Sequence, residues 1–263
     1  MAAGAGLVAH AFAWLLPTLL LGLYLGGVVV RVRDGGQWGR GRLLCFVVGC
    51  ALLVLALWPP LMAWAHADPR GHMVQHLLLG MFAPIALMLG RPLSLLLRTL
   101  PQRHGRRAAL LLGSPPMVAL THPVTALLLD VGGLYLLYLT PLFAASLDHA
   151  LLGGWLHLHV LLAGYLFAWS IAGPDPAPAR PGFALRLGVL FVAIAAHGIL
   201  AKLMYGYGFP RGTAFVPEQL EAAARLMYYG GSLAELLLVA LLFAGRPGRR
   251  WRAGMLASPG LPR

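Results

Sequence analysis

The sequence predicts an all-α membrane protein: one bundle of seven transmembrane helices, with the N-terminus outside and the C-terminus in the cytoplasm. Of its 263 residues, 59% are hydrophobic and only 11% are charged, and the mean hydropathy is +0.77. Such a composition is typical of polytopic membrane proteins. Apolar stretches follow one another along the whole chain, and none of the segments between them is long enough for a soluble core. We therefore expect residues 1–263 to form a single domain.

Seven apolar stretches are each near or above the ~20 residues that a helix needs to cross a bilayer. They cover residues 7–30, 43–65, 72–90, 122–143, 149–172, 184–204 and 223–245. The first is similar to a signal peptide in position, but no Lys or Arg precedes it and it is too long for a signal core, so we interpret it as a retained span. Cys45 and Cys50 in the second fit neither a CxxC motif nor a disulfide framework, and we interpret them as packing residues.

The distribution of basic residues predicts the orientation of these spans. Four lie in or beside loops on one side of the membrane: Arg70, Lys202, Arg211 and Arg225. The other sixteen lie on the opposite side: Arg31, Arg33, Arg40, Arg42, Arg91, Arg98, Arg103, Arg106, Arg107, Arg180, Arg186, Arg246, Arg249, Arg250, Arg252 and Arg263. The positive-inside rule places the richer side in the cytoplasm. Despite the net charge of +12, this placement indicates anionic lipid headgroups as the partner and not nucleic acid.

Histidines within the apolar stretches are the main candidates for a functional site. An ionisable residue in a membrane span is costly unless it faces the bundle interior, which makes it a functional hypothesis. His72 and His76 are four residues apart, so on a helix their rings differ by about 40° in direction and about 6 Å in height. Both can therefore address one metal ion. His149 and His197, judged by depth, lie on the same outer side.

His157 and His159 also fall in the outer part of the bundle, in the fifth span. They are two residues apart, which turns them by about 200° around a helix, so they cannot both point at one centre. The spacing leaves open which of them faces the other histidines. Several imidazoles at matched depth on three spans favour a copper or zinc site over independent packing contacts. The thioether of Met73, next to His72, favours Cu(I).

Several segments around these histidines resemble one known family in content and order. They are His72-Met73-Val74-Gln75-His76, Ala83-Pro84, Leu89-Gly90-Arg91-Pro92, His122-Pro123, the stretch 159–167 and Asp175-Pro176. Together they are similar to the polytopic cytochrome c oxidase assembly factor (CtaG) family over most of the chain.

The resemblance implies a seven-span protein of the bacterial inner membrane that is needed to make active haem-copper oxidase by handling copper for one of its metal centres. Oxidase subunits and a periplasmic copper donor are then the expected partners. Carried over to matching positions, it implies that His72, His76 and His159 handle the metal.

Two further polar residues lie within predicted spans, Asp130 in the fourth and Glu235 in the seventh, at similar depth. They are candidates for sharing a proton, for contacting a partner subunit, or for hydrogen bonding within the bundle. The glycine pairs Gly132-Gly133, Gly153-Gly154 and Gly230-Gly231 are candidate surfaces for helix packing or for a homodimer.

Two other functions stay open from the sequence. A transporter of copper or protons would use the outer histidines as an entry site and Asp130 with Glu235 as an inner relay, and would need a continuous polar path. A haem-binding membrane redox protein would need pairs of histidines facing each other at one depth. No nucleophile–base pair, phosphate-binding glycine loop or catalytic carboxylate pair is recognisable, so we do not predict an enzyme.

Overall fold

The computed structural model describes residues 2–177 and 179–245, with side chains from Trp14 onward. Every regular element in these ranges is a helix. The helices are α1 (Ala2–Arg33), α2 (Arg40–Ala56), α3 (Pro59–Ala67), α4 (Pro69–His76), a π-helical segment (Leu77–Phe82), α5 (Ala83–Leu89), α6 (Pro92–Thr99), α7 (Gln102–Leu112), α8 (Pro115–Leu120), α9 (Pro123–Leu139), α10 (Leu142–Asp148), α11 (Ala150–Ala172), α12 (Phe183–Tyr207) and α13 (Pro217–Ala244).

Five of the described helical segments are long and apolar enough to cross a membrane on their own: Trp14–Arg33, Pro69–Leu89, Ala150–Ala172, Phe183–Tyr207 and Pro217–Ala244. Two broken pairs, α2 with α3 and α9 with α10, raise the number to seven if each pair is one span. The prediction of an all-helical membrane protein is thus confirmed. A count of seven and the orientation of the termini stay predictions.

Proline explains both breaks. The axis bends by 51° between α2 and α3, where Pro59 follows Trp58, and by 77° between α9 and α10, beside Pro141. The residue before a proline is pushed out of the helical region by the pyrrolidine ring, and Trp58 accordingly has ψ of 132°. The sequence-based spans 43–65 and 122–143 each run across such a break.

The span Pro69–Leu89 lies at the centre of the bundle. Its most apolar window is 61% buried, against 11–33% for the four other long helices. It packs against α2, α11 and α13. Its middle turn is π-helical and ends at Phe82, two residues before Pro84. The nitrogen of Pro84 cannot donate to the carbonyl of Gly80, the residue four positions earlier.

Buried polar contacts define the two ends of the bundle. At the end that we call the Asp175 end, the buried carboxylate of Asp175 accepts hydrogen bonds from the backbone nitrogens of Leu93 (3.2 Å) and Ser94 (2.9 Å) at the start of α6. The hydroxyl of Tyr24 donates to the carbonyl of Gly90 at 2.7 Å. These contacts involve two of the segments that carry the resemblance: Asp175-Pro176, and Leu89-Gly90-Arg91-Pro92, which Leu93 and Ser94 directly follow. The opposite end, which we call the Asp68 end, contains the α3–α4 junction.

The amphipathic helix α7 lies at the Asp175 end and has no buried residue. Arg103, Arg106 and Arg107 extend from it, while Leu110 and Leu111 are strongly exposed. This pattern suits a helix at the surface of a membrane with anionic lipid. The basic residues counted after the last span, Arg246, Arg249, Arg250, Arg252 and Arg263, fall outside the described residues.

Small residues pack as the sequence suggested in most cases. Cys50 is buried in an apolar cluster with Phe46 and Leu53, and both cysteines are free thiols.

Four of the six paired glycines face atoms of their own chain within 4 Å, namely Gly133, Gly153, Gly230 and Gly231. Gly132 and Gly154 face open space, so only these two remain candidates for an interface with a second copy.

Candidate metal site

Two buried imidazoles meet inside the bundle. His76 ends α4 and His197 lies on α12, with exposed fractions of 6% and 3%. Their ring centroids are 6.4 Å apart. The Nε2 atoms of both rings are buried and have no hydrogen-bond partner. An unsatisfied buried polar atom needs an explanation such as an ion or a water molecule, and we call these two residues the histidine pair.

Glycines make room for the pair. A Cβ added to Gly231 on α13 would overlap the ring of His197, and one added to Gly80 would lie 3.4 Å from the ring of His76. The Nδ1 atom of His197 lies 3.4 Å from the Oε1 atom of Glu235, which is itself buried. A carboxylate on the second nitrogen of an imidazole orients the ring and leaves Nε2 free for a metal ion.

A small cavity joins the histidine pair to both buried carboxylates. His76, Asp130, His197 and Glu235 line this inner cavity together with apolar side chains. The space open to the centre of a water molecule is about 30 Å³, whereas one water needs about 10–15 Å³ on this measure. The inner cavity therefore has room for an ion or a few waters. Asp130 and Glu235, which the sequence placed at similar depth, do meet here.

A second cavity extends from His76 toward the Asp68 end. Its polar lining is His66, His72, Gln75, His76, Tyr138, Ser146 and His157, and its volume on the same measure is about 40 Å³. We call it the outer cavity. The Nε2 atom of His72 lies 3.0 Å from the hydroxyl of buried Tyr138. His66 is exposed at the rim, with Nδ1 donating to the carbonyl of Met62 at 2.7 Å.

Hydrogen bonds fix the tautomer of His157 in this outer cavity. The amide nitrogen of Gln75 donates to the carbonyl of Ala56 at 2.8 Å. The amide oxygen of Gln75 therefore faces the Nε2 atom of His157, 3.2 Å away. Because that oxygen can only accept, Nε2 of His157 carries the proton and Nδ1 keeps the free lone pair. A neutral imidazole in this state is able to bind a metal ion.

The predicted site residues do not all come together. His72, His76 and His197 line the two cavities, but His159 faces the other side of α11, where its Nε2 donates to the carbonyl of Leu129 at 3.1 Å and its ring stacks on Trp155. The physical reason is the 200° turn between His157 and His159, which brings His157 to the cavity. His149 is exposed just before α11 and lines neither cavity.

Met73 also lies outside the two cavities. It is almost completely buried in an apolar cluster with Tyr138 and Met227. Sequence reasoning did not select His66 and His157 as site residues. The spacing of His157 and His159 pointed to one of the two, but nothing in the sequence shows which side of α11 faces α4.

The donor set offers a pair of imidazoles and not a complete coordination shell. Within residues 2–177 and 179–245, no group of three or more His, Cys, Asp and Glu side chains is arranged to hold a metal ion. A closed structural zinc site would need four such ligands. The free Nε2 atoms of the histidine pair fit an ion that is bound by few protein ligands and keeps open positions.

Comparisons with known proteins agree with this membrane architecture. The family model of the cytochrome c oxidase caa3 assembly factor matches residues 22–246. Uncharacterized proteins of Mycobacterium bovis and Mycobacterium tuberculosis are each 38% identical over 199 residues, covering 73% of this chain and 30% of theirs. One of Mycobacterium leprae is 37% identical over 187 residues, covering 68% of this chain and 28% of its own. The chain thus spans under a third of the length of these relatives. No solved structure matches.

Proposed function

Because this chain belongs to the cytochrome c oxidase caa3 assembly factor family, we propose that it binds copper as Cu(I) at the histidine pair and hands it to a metal centre of a haem-copper oxidase. The protein acts in the bacterial plasma membrane as a non-catalytic metallochaperone. The oxidase subunit that receives the metal and an external copper donor are its partners.

One observation carries the proposal: two buried imidazole rings on different helices, with centroids 6.4 Å apart, each have an Nε2 atom without a hydrogen-bond partner. Leaving a buried polar atom unsatisfied costs about 1–3 kcal/mol. An ion that uses both lone pairs removes that cost at both atoms at once. Imidazole suits copper, and the thioether of Met81, which also lines the inner cavity, favours Cu(I) over harder cations.

The cavities support loading and release at the Asp68 end. His76 lines both cavities, so polar side chains continue from exposed His66 through His72 and His157 to the histidine pair. Beyond Glu235, toward the Asp175 end, the buried cluster contains apolar residues such as Met88, Phe167 and Leu238. The two cavities thus run from His66 at the Asp68 end to Glu235, which favours handover at that end over transport across the membrane.

The sizes of the cavities also bear on the haem alternative. Spaces of about 30 and 40 Å³ for water-sized centres hold a few waters or an ion, far less than a haem needs. Copper handling is therefore favoured over haem binding. His149 and His159 are not part of the proposed site, since neither side chain reaches the cavities.

Copper retention by purified variants tests the proposal. His76→Ala and His197→Ala should each bind Cu(I) about tenfold or more weakly in anaerobic competition with a chelator, since even changes in the groups that support metal ligands cost about 10–100-fold. His104→Ala, which changes an exposed histidine on α7, is the matched control and should bind like the wild type. Size-exclusion profiles establish that each variant is folded. Equal copper affinity in folded His76→Ala, His197→Ala and wild-type protein would refute the site.

A further inference from the structure

Three methionines are almost completely buried in one apolar cluster on the helices that carry the histidine pair and Glu235. Met73, Met204 and Met227 have exposed fractions of 1%, 1% and 0% and belong to one apolar cluster. They lie on α4, α12 and α13. The same three helices carry His76, His197 and Glu235, whose polar groups line the inner cavity. Each helix therefore carries one of the three methionines and one polar residue of the inner cavity. We call the three residues the thioether cluster.

Helix geometry places the thioether cluster on one side of the histidine pair. Met73 precedes His76 by three residues, and Met204 follows His197 by seven. Because α4 runs inward from the Asp68 end and α12 runs back toward it, both methionines lie nearer that end, by about 4.5 and 10.5 Å along their helices. Measured around the helix axis, the direction of Met73 differs from that of His76 by only about 60°, and the direction of Met204 differs from that of His197 by only about 20°.

The third helix follows the same pattern. Met227 precedes Glu235 by eight residues on α13, which also runs inward from the Asp68 end. It therefore lies about 12 Å nearer that end and about 80° away in direction. All three methionines thus lie on the inner sides of their helices, and each is nearer the Asp68 end than the polar residue on the same helix.

Tyr138 connects the cluster with the polar site. This fully buried side chain belongs to the same apolar cluster as the three methionines. It also lines the outer cavity, lies 3.0 Å from the Nε2 atom of His72 and stands edge-on to the ring of His76 at 6.3 Å. Tyr138 therefore belongs both to the apolar cluster that contains the three methionines and to the lining of the outer cavity.

Methionine also fills gaps in ordinary cores, but its distribution here is uneven. Of the two other buried apolar clusters among the described residues, one contains a single fully buried methionine, Met88, and the other contains none. Leucine would fill comparable space at three positions. Thioether sulfur differs from leucine in one chemical respect, which is that it is a soft ligand for Cu(I).

Resting on the proposed copper role, we propose that Met73, Met204 and Met227 form a separate thioether site for Cu(I), which holds the ion between the Asp68 end and the histidine pair. The ligands are neutral, so binding requires no loss of protons from them. Exchange of the ion from sulfur to imidazole involves no change of oxidation state.

X-ray absorption at the copper edge tests this site on anaerobically loaded full-length protein. The wild type should show both sulfur and nitrogen ligands. The triple variant Met73→Leu, Met204→Leu, Met227→Leu should lose the sulfur ligands and keep the nitrogen ligands, because leucine conserves the volume of the side chain and is well tolerated in its place. Met88→Leu, a buried methionine of another cluster, is the control and should match the wild type.

The outcomes separate this site from the histidine pair. Copper bound by nitrogen alone in the wild type would overturn the thioether site and leave the proposed function standing. Sulfur ligands that persist in folded His76→Ala, His197→Ala protein would support it independently of the pair. Wild-type protein that binds no copper would refute both proposals. Should the triple variant not fold, selenomethionine-labelled wild type replaces it, and absence of copper neighbours at the selenium edge overturns the site.

Discussion

At the scale of single residues, Asp68 fixes the start of the helix that carries His76. Its carboxylate accepts from the backbone nitrogen of Arg70 at 2.8 Å and from the Arg70 guanidinium, and so caps α4. The guanidinium of Arg70 is the main reason why the pKa of Asp68 is lowered from its ordinary value. Gln219 at the start of α13 reaches the same carboxylate at 3.5 Å. One side chain thus joins α4 to α13, the helices that hold His76 and Glu235.

Replacing Asp68 should destabilise the bundle in a pH-dependent manner. Loss of an N-cap costs about 1 kcal/mol, or about 2–4 °C in melting temperature for a chain of this size. A lowered pKa means that the carboxylate stabilises the fold above its ordinary pKa, and that this contribution is lost as the pH falls through the folded value. Melting curves of Asp68→Ala in detergent should therefore lie below wild type at pH 7, and the difference should begin to shrink only as the pH falls below about 4, toward the lowered pKa of Asp68.

An exposed aspartate supplies the comparison for this experiment. Asp148→Ala, at the end of α10 on the same side of the bundle, should melt like the wild type at pH 7. Equal melting temperatures for Asp68→Ala and Asp148→Ala would contradict the capping role.

The sequence predicts which residue types could bind a metal ion, but it predicts only in part which way their side chains point. The four-residue spacing of His72 and His76 correctly placed both on the interior side of one helix. The spacing of His157 and His159 showed that they diverge, but choosing between them requires knowing which neighbour packs on which side of α11. Pairing of His76 with His197 depends on Gly231, because only a glycine there leaves space for the His197 ring.

At the scale of elements, the central span and α11 approach each other closely at two glycines. A Cβ added to Gly164 on α11 would overlap the carbonyl oxygen of Gly80 in the π-helical segment and lie 3.3 Å from Pro84. The approach therefore depends on Gly164 having no side chain. Pro84 and Gly164 both belong to segments that carry the family resemblance, and this contact gives them a shared structural role.

Gly164→Ala should disrupt this packing. The added methyl group meets backbone and not a flexible side chain, so relief requires the helices to separate, at a cost of roughly 1–3 kcal/mol or more. We expect less monodisperse protein after detergent extraction and a lower melting temperature. Gly154→Ala on the same helix meets nothing within 4 Å and should be unaffected. If both variants behaved alike, the close approach of α11 to the central span would not limit stability.

The length of an apolar stretch does not determine whether the helix that it forms is straight. Spans 43–65 and 122–143 were predicted as continuous helices, yet each bends, by 51° and 77°. Pro59 and Pro141 were visible in the sequence, and a proline predicts a local break. The angle of each bend depends on the helices packed around it, which no local signal encodes.

At the scale of the whole molecule, the two ends of the bundle have different chemistry. The Asp68 end carries His66 and opens into the outer cavity. The Asp175 end carries amphipathic α7 and the buried contacts of the Asp175 carboxylate with the start of α6. The distribution of arginine predicts that the second end faces the cytoplasm. The proposed copper route therefore opens to the outside, and its direction depends on the orientation of the chain.

Cysteine labelling in cells tests that orientation. In a background of Cys45→Ala and Cys50→Ala, single cysteines replace Arg211, between α12 and α13, or Arg103, on α7; both positions are exposed. A membrane-impermeant maleimide should label Arg211→Cys in intact spheroplasts. It should label Arg103→Cys only after the cells are lysed. Labelling of both variants after lysis is the control which shows that each cysteine can react. The reverse pattern would place the outer cavity in the cytoplasm. Copper would then enter from the cytoplasmic side, and the positive-inside rule would fail for this chain.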